Sequence, residues 1–184
     1  MEPTTWAIDP GIYGSGVAIF EGPSLLWASY LPHQPGKQRR GLACRHAVLA
    51  LQHCLARYPL CSHAVVEWQQ QYENTAHTVN RADVTDLTGV AGAIVGLFGF
   101  YTDNISTPLP REWKGQTPKH VHMCRILGAE LARARCTLPR GYKSQAPGQL
   151  SADQCRRIVW TSSKSLNHNI VDAVGLGLWA IGYS

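Results

Sequence analysis

The sequence contains no apolar run long enough to span a bilayer, and its start, MEPTTWAIDPG, lacks the charged-then-apolar pattern of a secretory leader. These absences predict a soluble, cytoplasmic protein with no membrane partner, associated with the nucleoid if a bacterium or phage encodes it. The six cysteines include no Cys-x-x-Cys pair, so they read as reduced thiols rather than a disulfide framework or a zinc knuckle. His120 and Cys124, four apart, are half of a metal site with no second pair to complete it. There is no internal repeat and no low-complexity tract. Acidic residues are the scarcer charge, 12 against 17 Lys and Arg, which leaves a formal charge of +5.

That charge is confined to one stretch. Between Arg111 and Lys164 there are 11 basic and 3 acidic residues, a local balance of +8. The remaining 6 basic and 9 acidic residues sum to −3. A basic segment in an otherwise acidic chain can be an ordinary solvated face, but phosphate is its commonest target, and a polyanionic partner is the expectation.

With 184 residues the chain suits a single domain, spanning 1–184, with a substantial core. Short apolar runs punctuated by Gly and Pro predict three antiparallel strands within the first thirty residues, around Thr5–Ile8, Gly16–Phe20 and Leu25–Tyr30. After a basic loop over 32–41, a helix is expected from Leu42 to Tyr58, stopped by Pro59. A buried strand follows at His63–Trp68, then a second helix from Asp83 to Phe98 with Val84, Leu87, Ala91, Ile94 and Phe98 on one stripe. A short strand over 104–107, a helix opening at Thr117-Pro118, a loop over 136–150 and a last apolar helix over 167–181 complete the reading. The sum is an α/β fold: a mixed five-stranded sheet, three antiparallel strands then two parallel, flanked by helices.

Two carboxylates end apolar strands. Asp9 follows Trp6-Ala7-Ile8, and Glu67 follows Ala64-Val65-Val66. Neighbouring parallel strands would set both at one edge of the sheet, where open α/β folds place their sites and where adjacent carboxylates repel unless a cation lies between them. Taken singly, each could simply cap a turn, as Asp-Pro-Gly often does. Asp172 narrows the choice. It lies within the apolar helix HNIVDAVGLGLWAIG, where a lone buried carboxylate costs several kcal/mol and no Lys or Arg follows to offset it. Asn169 and His168, at i−3 and i−4, share its helical face and can bind the same ion.

In order along the chain, DPGIYGSGVAIF, VVEWQQQYE, a helix from NRADVTDL, PREWKGQTPK and HNIVDAVGLG together resemble the RuvC family of Holliday junction resolvases. No one motif is specific; their order in a short basic chain carries the resemblance, which covers nearly all of it. It implies a ribonuclease H-like fold and catalytic, metal-binding carboxylates at Asp9, Glu67 and Asp172. It further implies phosphodiester hydrolysis with two Mg²⁺ ions, Mn²⁺ substituting, with branched DNA as substrate and a homodimer as the working form. Lys114 and Lys119 fall in the family's DNA-contacting region. Three departures mark the chain as a divergent member, of a kind phages or viruses could encode. Asn169 stands where well-known members have Asp or His as fourth metal ligand, with His168 the alternative here. Lys114 and Lys119 are close together, and the basic connection over 133–166 is long.

Two rival functions remain at this point: a ribonuclease H-like enzyme cutting flaps, forks or RNA–DNA hybrids, and a non-catalytic DNA-binding module. Three intact carboxylates disfavour the second. Actin-like ATPases also begin with Asp-x-Gly but need two such domains, more than this chain can supply. Gly89, Gly92, Gly96 and Gly99 recur at helical spacing opposite the apolar stripe, and four helix-interior glycines, each costing about 1 kcal/mol, ask for close backbone approach within the chain or across a dimer. Trp68 reads as partly buried core or, with Tyr72, as a stacking platform for exposed bases; Trp113, Trp160 and Trp179 read as packing.

Overall fold

The computed structural model describes residues 2–33, 41–69, 81–143 and 147–182. Strands β1 (Thr4–Asp9), β2 (Gly14–Glu21) and β3 (Ser24–Pro32) form an antiparallel meander. Strand β4 (His63–Val66) runs parallel to β1, and β5 (Ile105–Ser106) runs parallel to β4. Beyond the expected five, a sixth strand, β6 (Ile158–Val159), pairs in parallel with β3 and extends the opposite edge, so that the order is β5-β4-β1-β2-β3-β6.

Side-chain alternation divides the sheet into two cores. Trp6, Ile8, Val17, Ile19, Ala64 and Val66 face helices α1 (Gly41–Leu55) and α2 (Arg81–Phe98). Ala7, Ala18, Phe20 and Val65 face the other way, toward α4 (Lys119–Leu127) and α7 (Asn167–Ala180). Burial on both faces explains why the strands read as continuous apolar runs instead of alternating ones. Between α2 and α7 lie the short helices α3 (Pro110–Trp113), α5 (Ala129–Arg135) and α6 (Ala152–Arg156); α3 and α6 were not expected, and α5 continues the helix expected before the loop over 136–150. The helix expected at Thr117-Pro118 begins at Lys119 with Pro118 as its cap, and Gly128, at φ 79°, ends it. The basic loop read over 32–41 lies almost wholly outside the described residues, as does Tyr72. No helix among the described residues is long and apolar enough to cross a membrane.

Helix α7 lies close against β1 and β2 because two glycines let it. A Cβ at Gly16 would overlap the main-chain carbonyl of Asn169, and one at Gly177 would overlap the Phe20 ring. On α2 the expectation of close approach within the chain is not met. Gly89, Gly92, Gly96 and Gly99 are exposed, a Cβ at Gly89 or Gly92 would make only ordinary contacts with Cys44 or Trp68, and one at Gly96 would touch nothing among the described residues.

Candidate active site

Strand parity builds the site. Ile8 pairs with Val66 across the parallel β1–β4 ladder, and the N–H of Glu67 donates to the carbonyl of Ile8 at 2.9 Å. Asp9 and Glu67 are therefore adjacent, one position past the last paired residues. Both have the parity of Ala7 and Val65, which places them on the α7 side of the sheet. Asp172 lies within α7, buried to 4% exposure, and its charge acts on both Asp9 and Glu67. The three carboxylates widely spaced in sequence thus converge where β1, β4 and α7 meet.

Their electrostatics show the strain of that convergence. Burial holds the Asp9 carboxyl well above the usual carboxylate range; the charges of Glu67 and Asp172 push it further, and Lys114 and Lys119 only partly offset them. Burial likewise raises Glu67, and Asp172 adds to the rise, against the opposing pull of Lys114 and a hydrogen bond from Trp113. Burial alone would lower Lys114, but Asp172, Glu67 and Asp9 together outweigh it and hold the ammonium above its ordinary pKa.

Two lysines neutralise the cluster. Lys114 Nζ lies 3.4 Å from Glu67 Oε2, and the half-exposed Lys119 Nζ lies 3.0 Å from Asp172 Oδ2. The indole Nε1 of Trp113 donates to Glu67 Oε2 at 2.7 Å. Asp172 Oδ1 is buried with no hydrogen-bond partner. Among the described residues no three His, Cys, Asp or Glu side chains sit close enough together to hold one ion, so the His120–Cys124 pair gains no further ligands. A buried, unpartnered carboxylate oxygen facing a set of like charges is nonetheless the environment that a hard divalent cation relieves, and oxygen donors suit Mg²⁺.

Asn169 lies beside the turn that follows Asp9: its side-chain amide nitrogen approaches the position that a Cβ on Gly11 would take, at 3.9 Å. His168 is engaged elsewhere, with Nε2 accepting from the N–H of Thr137 at 3.0 Å. Burial lowers its pKa, as does Lys119, while Asp172 opposes them. Trp68 is half-buried and packs against the α1–α2 core, the bland reading of that residue. Sequence reasoning missed Trp113, which it assigned to packing, and His122. The ring of His122 lies edge-on to Trp113 at 5.0 Å, its Nε2 is buried without a partner, and burial lowers its pKa to about 4. The available signal was spacing: Trp113 adjoins Lys114, and His122 lies at i+3 from Lys119 on α4.

Taken together, the sheet order, the helices on both faces and the junction of β1, β4 and α7 define a ribonuclease H-like fold. It is the fold of RuvC. The Thermus thermophilus RuvC structure in complex with a Holliday junction substrate superposes with a TM-score of 0.54 at 13% identity, covering 99% of this chain and 94% of that one. A second Thermus thermophilus RuvC structure gives a TM-score of 0.51 at 14% identity, covering 97% and 93%. No family model matches the sequence, and no curated protein matches it.

Proposed function

We propose that this protein is a structure-selective endodeoxyribonuclease that hydrolyses phosphodiesters in four-way junctions or related branched DNA, with Asp9, Glu67 and Asp172 as catalytic and metal-binding residues. The observation that carries the reading is the convergence of three carboxylates, one with a buried unpaired oxygen, in the fold of a protein whose structure holds a Holliday junction.

Oxygen donors of this kind suit Mg²⁺, with Mn²⁺ as a substitute: Asp9, Glu67 and Asp172 would hold the ions and Asn169 would add a neutral amide oxygen. When bound, the ions supply Lewis acidity, lowering the pKa of the attacking water and offsetting charge on the leaving 3′ oxygen. The chain's own residues do the rest. Trp113 fixes one oxygen of Glu67 in a buried position, so the carboxylate keeps its direction. Lys114 and Lys119 pair with Glu67 and Asp172, and with cations held by those carboxylates their ammonium groups would be available to pair with DNA phosphates. His168 gives its Nε2 lone pair to a main-chain N–H, which takes it out of contention as a proton acceptor and favours Asn169 as the fourth ligand.

The solvent-facing glycines of α2 support a homodimer, because a face that leaves room for side chains within the protomer still avoids them. The test of the function is one cleavage gel with Mg²⁺ on four substrates: a four-way junction, a flap, an RNA–DNA hybrid and linear duplex. Preferential cutting of the four-way junction supports the proposal. Preference for the flap or hybrid moves the substrate to the rival enzyme class, and binding without cutting makes the protein a junction-binding module.

A further inference from the structure

Beyond the carboxylate centre, the long basic connection after α5 folds into a cleft of about 520 Å³. Arg133, Lys143 and Lys164 line it together with Leu138, Pro139 and Tyr142, and no acidic residue among the described residues does. The volume falls within the range of small-ligand pockets and has room for a single nucleotide. Three cations around an opening that also offers an aromatic ring and two apolar side chains combine the two requirements of a nucleotide: positive charge for phosphate and a surface for the base.

The cleft is built into the catalytic scaffold. Three hydrogen bonds join residues 133–137 to the start of α7, the helix that carries Asn169 and Asp172, and to Lys164 just before it. Lys164 Nζ donates to the Arg133 carbonyl at 2.9 Å, Asn167 Nδ2 donates to the Arg135 carbonyl at 2.8 Å, and the Thr137 N–H donates to His168 Nε2 at 3.0 Å. Asn167 is itself buried and held by Thr161, whose N–H and hydroxyl both donate to its Oδ1 at 2.9 and 2.8 Å. On the other side Tyr142 meets the edge of His120 at 4.4 Å, and His120 follows Lys119, the partner of Asp172. The cleft wall at Cys136 also feels the charge of Asp172, which together with burial pushes that thiol up to about 11.

We propose that this cleft receives one nucleotide of the DNA strand that enters the carboxylate site, its phosphate held by Arg133, Lys143 and Lys164 and its base set against Tyr142. The proposal rests on the nuclease reading above. A nucleotide seated here is one that has left its stack, so the cleft favours strands at a branch, where unpaired or loosely stacked bases are cheapest to displace.

The experiment measures binding of a four-way junction in EDTA as a function of salt, with the full-length protein. Arg133→Ala/Lys143→Ala should flatten the log–log salt slope by up to about 0.7 to 0.9 units, the loss of one phosphate contact that these cations share. Tyr142→Leu should weaken binding severalfold without changing the slope, and Tyr142→Phe should bind as wild type does. Arg57→Ala, at the far end of α1, should leave the slope unchanged. A wild-type slope in the double variant, or wild-type affinity in Tyr142→Leu, overturns the proposal. Titration with thymidine 5′-monophosphate separates the two sources of the same chemistry: if the double variant loses monophosphate binding but keeps the junction slope, the cleft takes free nucleotides and strand docking is wrong. Wild-type cleavage of the junction with Mg²⁺ is run alongside. If wild type cuts while the variants keep their slope, the cleft assignment alone fails; if wild type neither binds nor cuts, the nuclease reading fails with it.

Discussion

The indole Nε1 of Trp113 donates to Oε2 of Glu67 at 2.7 Å, a buried bond between the last residue of α3 and the residue just past β4. It shares that oxygen with Lys114, so one carboxylate oxygen is fixed from two directions. Trp113→Phe keeps much of the ring and removes the donor. Groups that orient a metal-binding carboxylate typically change metal affinity by about 10- to 100-fold when lost. The expected result is a shift of that order in the Mg²⁺ midpoint for junction cleavage, with melting temperature changed far less than by Trp113→Ala. An unchanged midpoint would return Trp113 to simple packing.

The raised pKa of Asp9 has a definite sign for stability. In the unfolded chain this carboxyl titrates near 4, and in the fold it titrates well above that, so between those values the folded state holds more protons. The favourable contribution is full below about pH 4 and is lost as pH rises through the folded value. Above the unfolded-chain value and without divalent cations, the Asp9 carboxyl therefore works against the fold. Asp9→Asn should melt higher than wild type in EDTA at pH 7.5, by a few degrees on a scale of about 2–4 °C per kcal/mol, with the gap closing near pH 4. Added Mg²⁺ should raise wild type more than the variant. Thermal scans at the two pH values check this, and a variant that melts lower at pH 7.5 contradicts it.

How much of this was visible beforehand depended on length of pattern. The meander, β4 and both long helices followed from apolar periodicity, and the convergence of the carboxylates from two strands that end at Asp9 and Glu67 and one apolar helix that holds Asp172. α3 has four residues and α6 five, too few turns to register, and β6, like β5, has two; β5 was marked by the Pro108 that follows it, and β6 has no such neighbour. Trp113 was invisible as a site residue for a different reason. A tryptophan's burial is predictable from its size, but the partner of its N–H depends on Glu67, 46 positions away. The lysine pairs were legible only as charge: composition placed positive residues in 111–164, while the pairing of Lys114 with Glu67 and Lys119 with Asp172 is purely tertiary.

The fourth ligand separates two neighbours on α7. Asn169 lies by the Asp9–Gly11 turn, and His168 accepts from Thr137. Asn169→Asp should lower the metal midpoint by adding a charge where a neutral amide stood, whereas His168→Ala should leave the midpoint close to wild type and lose some stability through the broken bond to Thr137. Titrating Mg²⁺ and Mn²⁺ into each variant during cleavage gives the answer. A large shift in His168→Ala with none in Asn169→Asp assigns the ligand to His168.

The glycine face of α2 is tested at Gly96, where an added Cβ meets nothing within 4 Å among the described residues. Gly96→Leu should fold with at least wild-type stability, since a helix-interior glycine costs about 1 kcal/mol relative to alanine. If α2 pairs across a homodimer, the variant sediments as a monomer. A dimeric Gly96→Leu, or a monomeric wild type on junction DNA, removes α2 from the interface.

The central claim, that Asp9, Glu67 and Asp172 form a divalent-cation-dependent nuclease centre, is tested most directly by single-turnover cleavage of a four-way junction. Wild type is compared with Asp9→Asn, Glu67→Gln and Asp172→Asn in Mg²⁺, and junction binding by the same proteins is measured in EDTA. The account predicts cleavage by wild type only, with each variant slowed by at least about a thousandfold, a loss of 4 kcal/mol or more in transition-state stabilisation, and with binding retained because removing negative charge near phosphate does not weaken it. Cleavage by any one variant at the wild-type rate, or an intact junction after incubation with wild type in both Mg²⁺ and Mn²⁺, would contradict it.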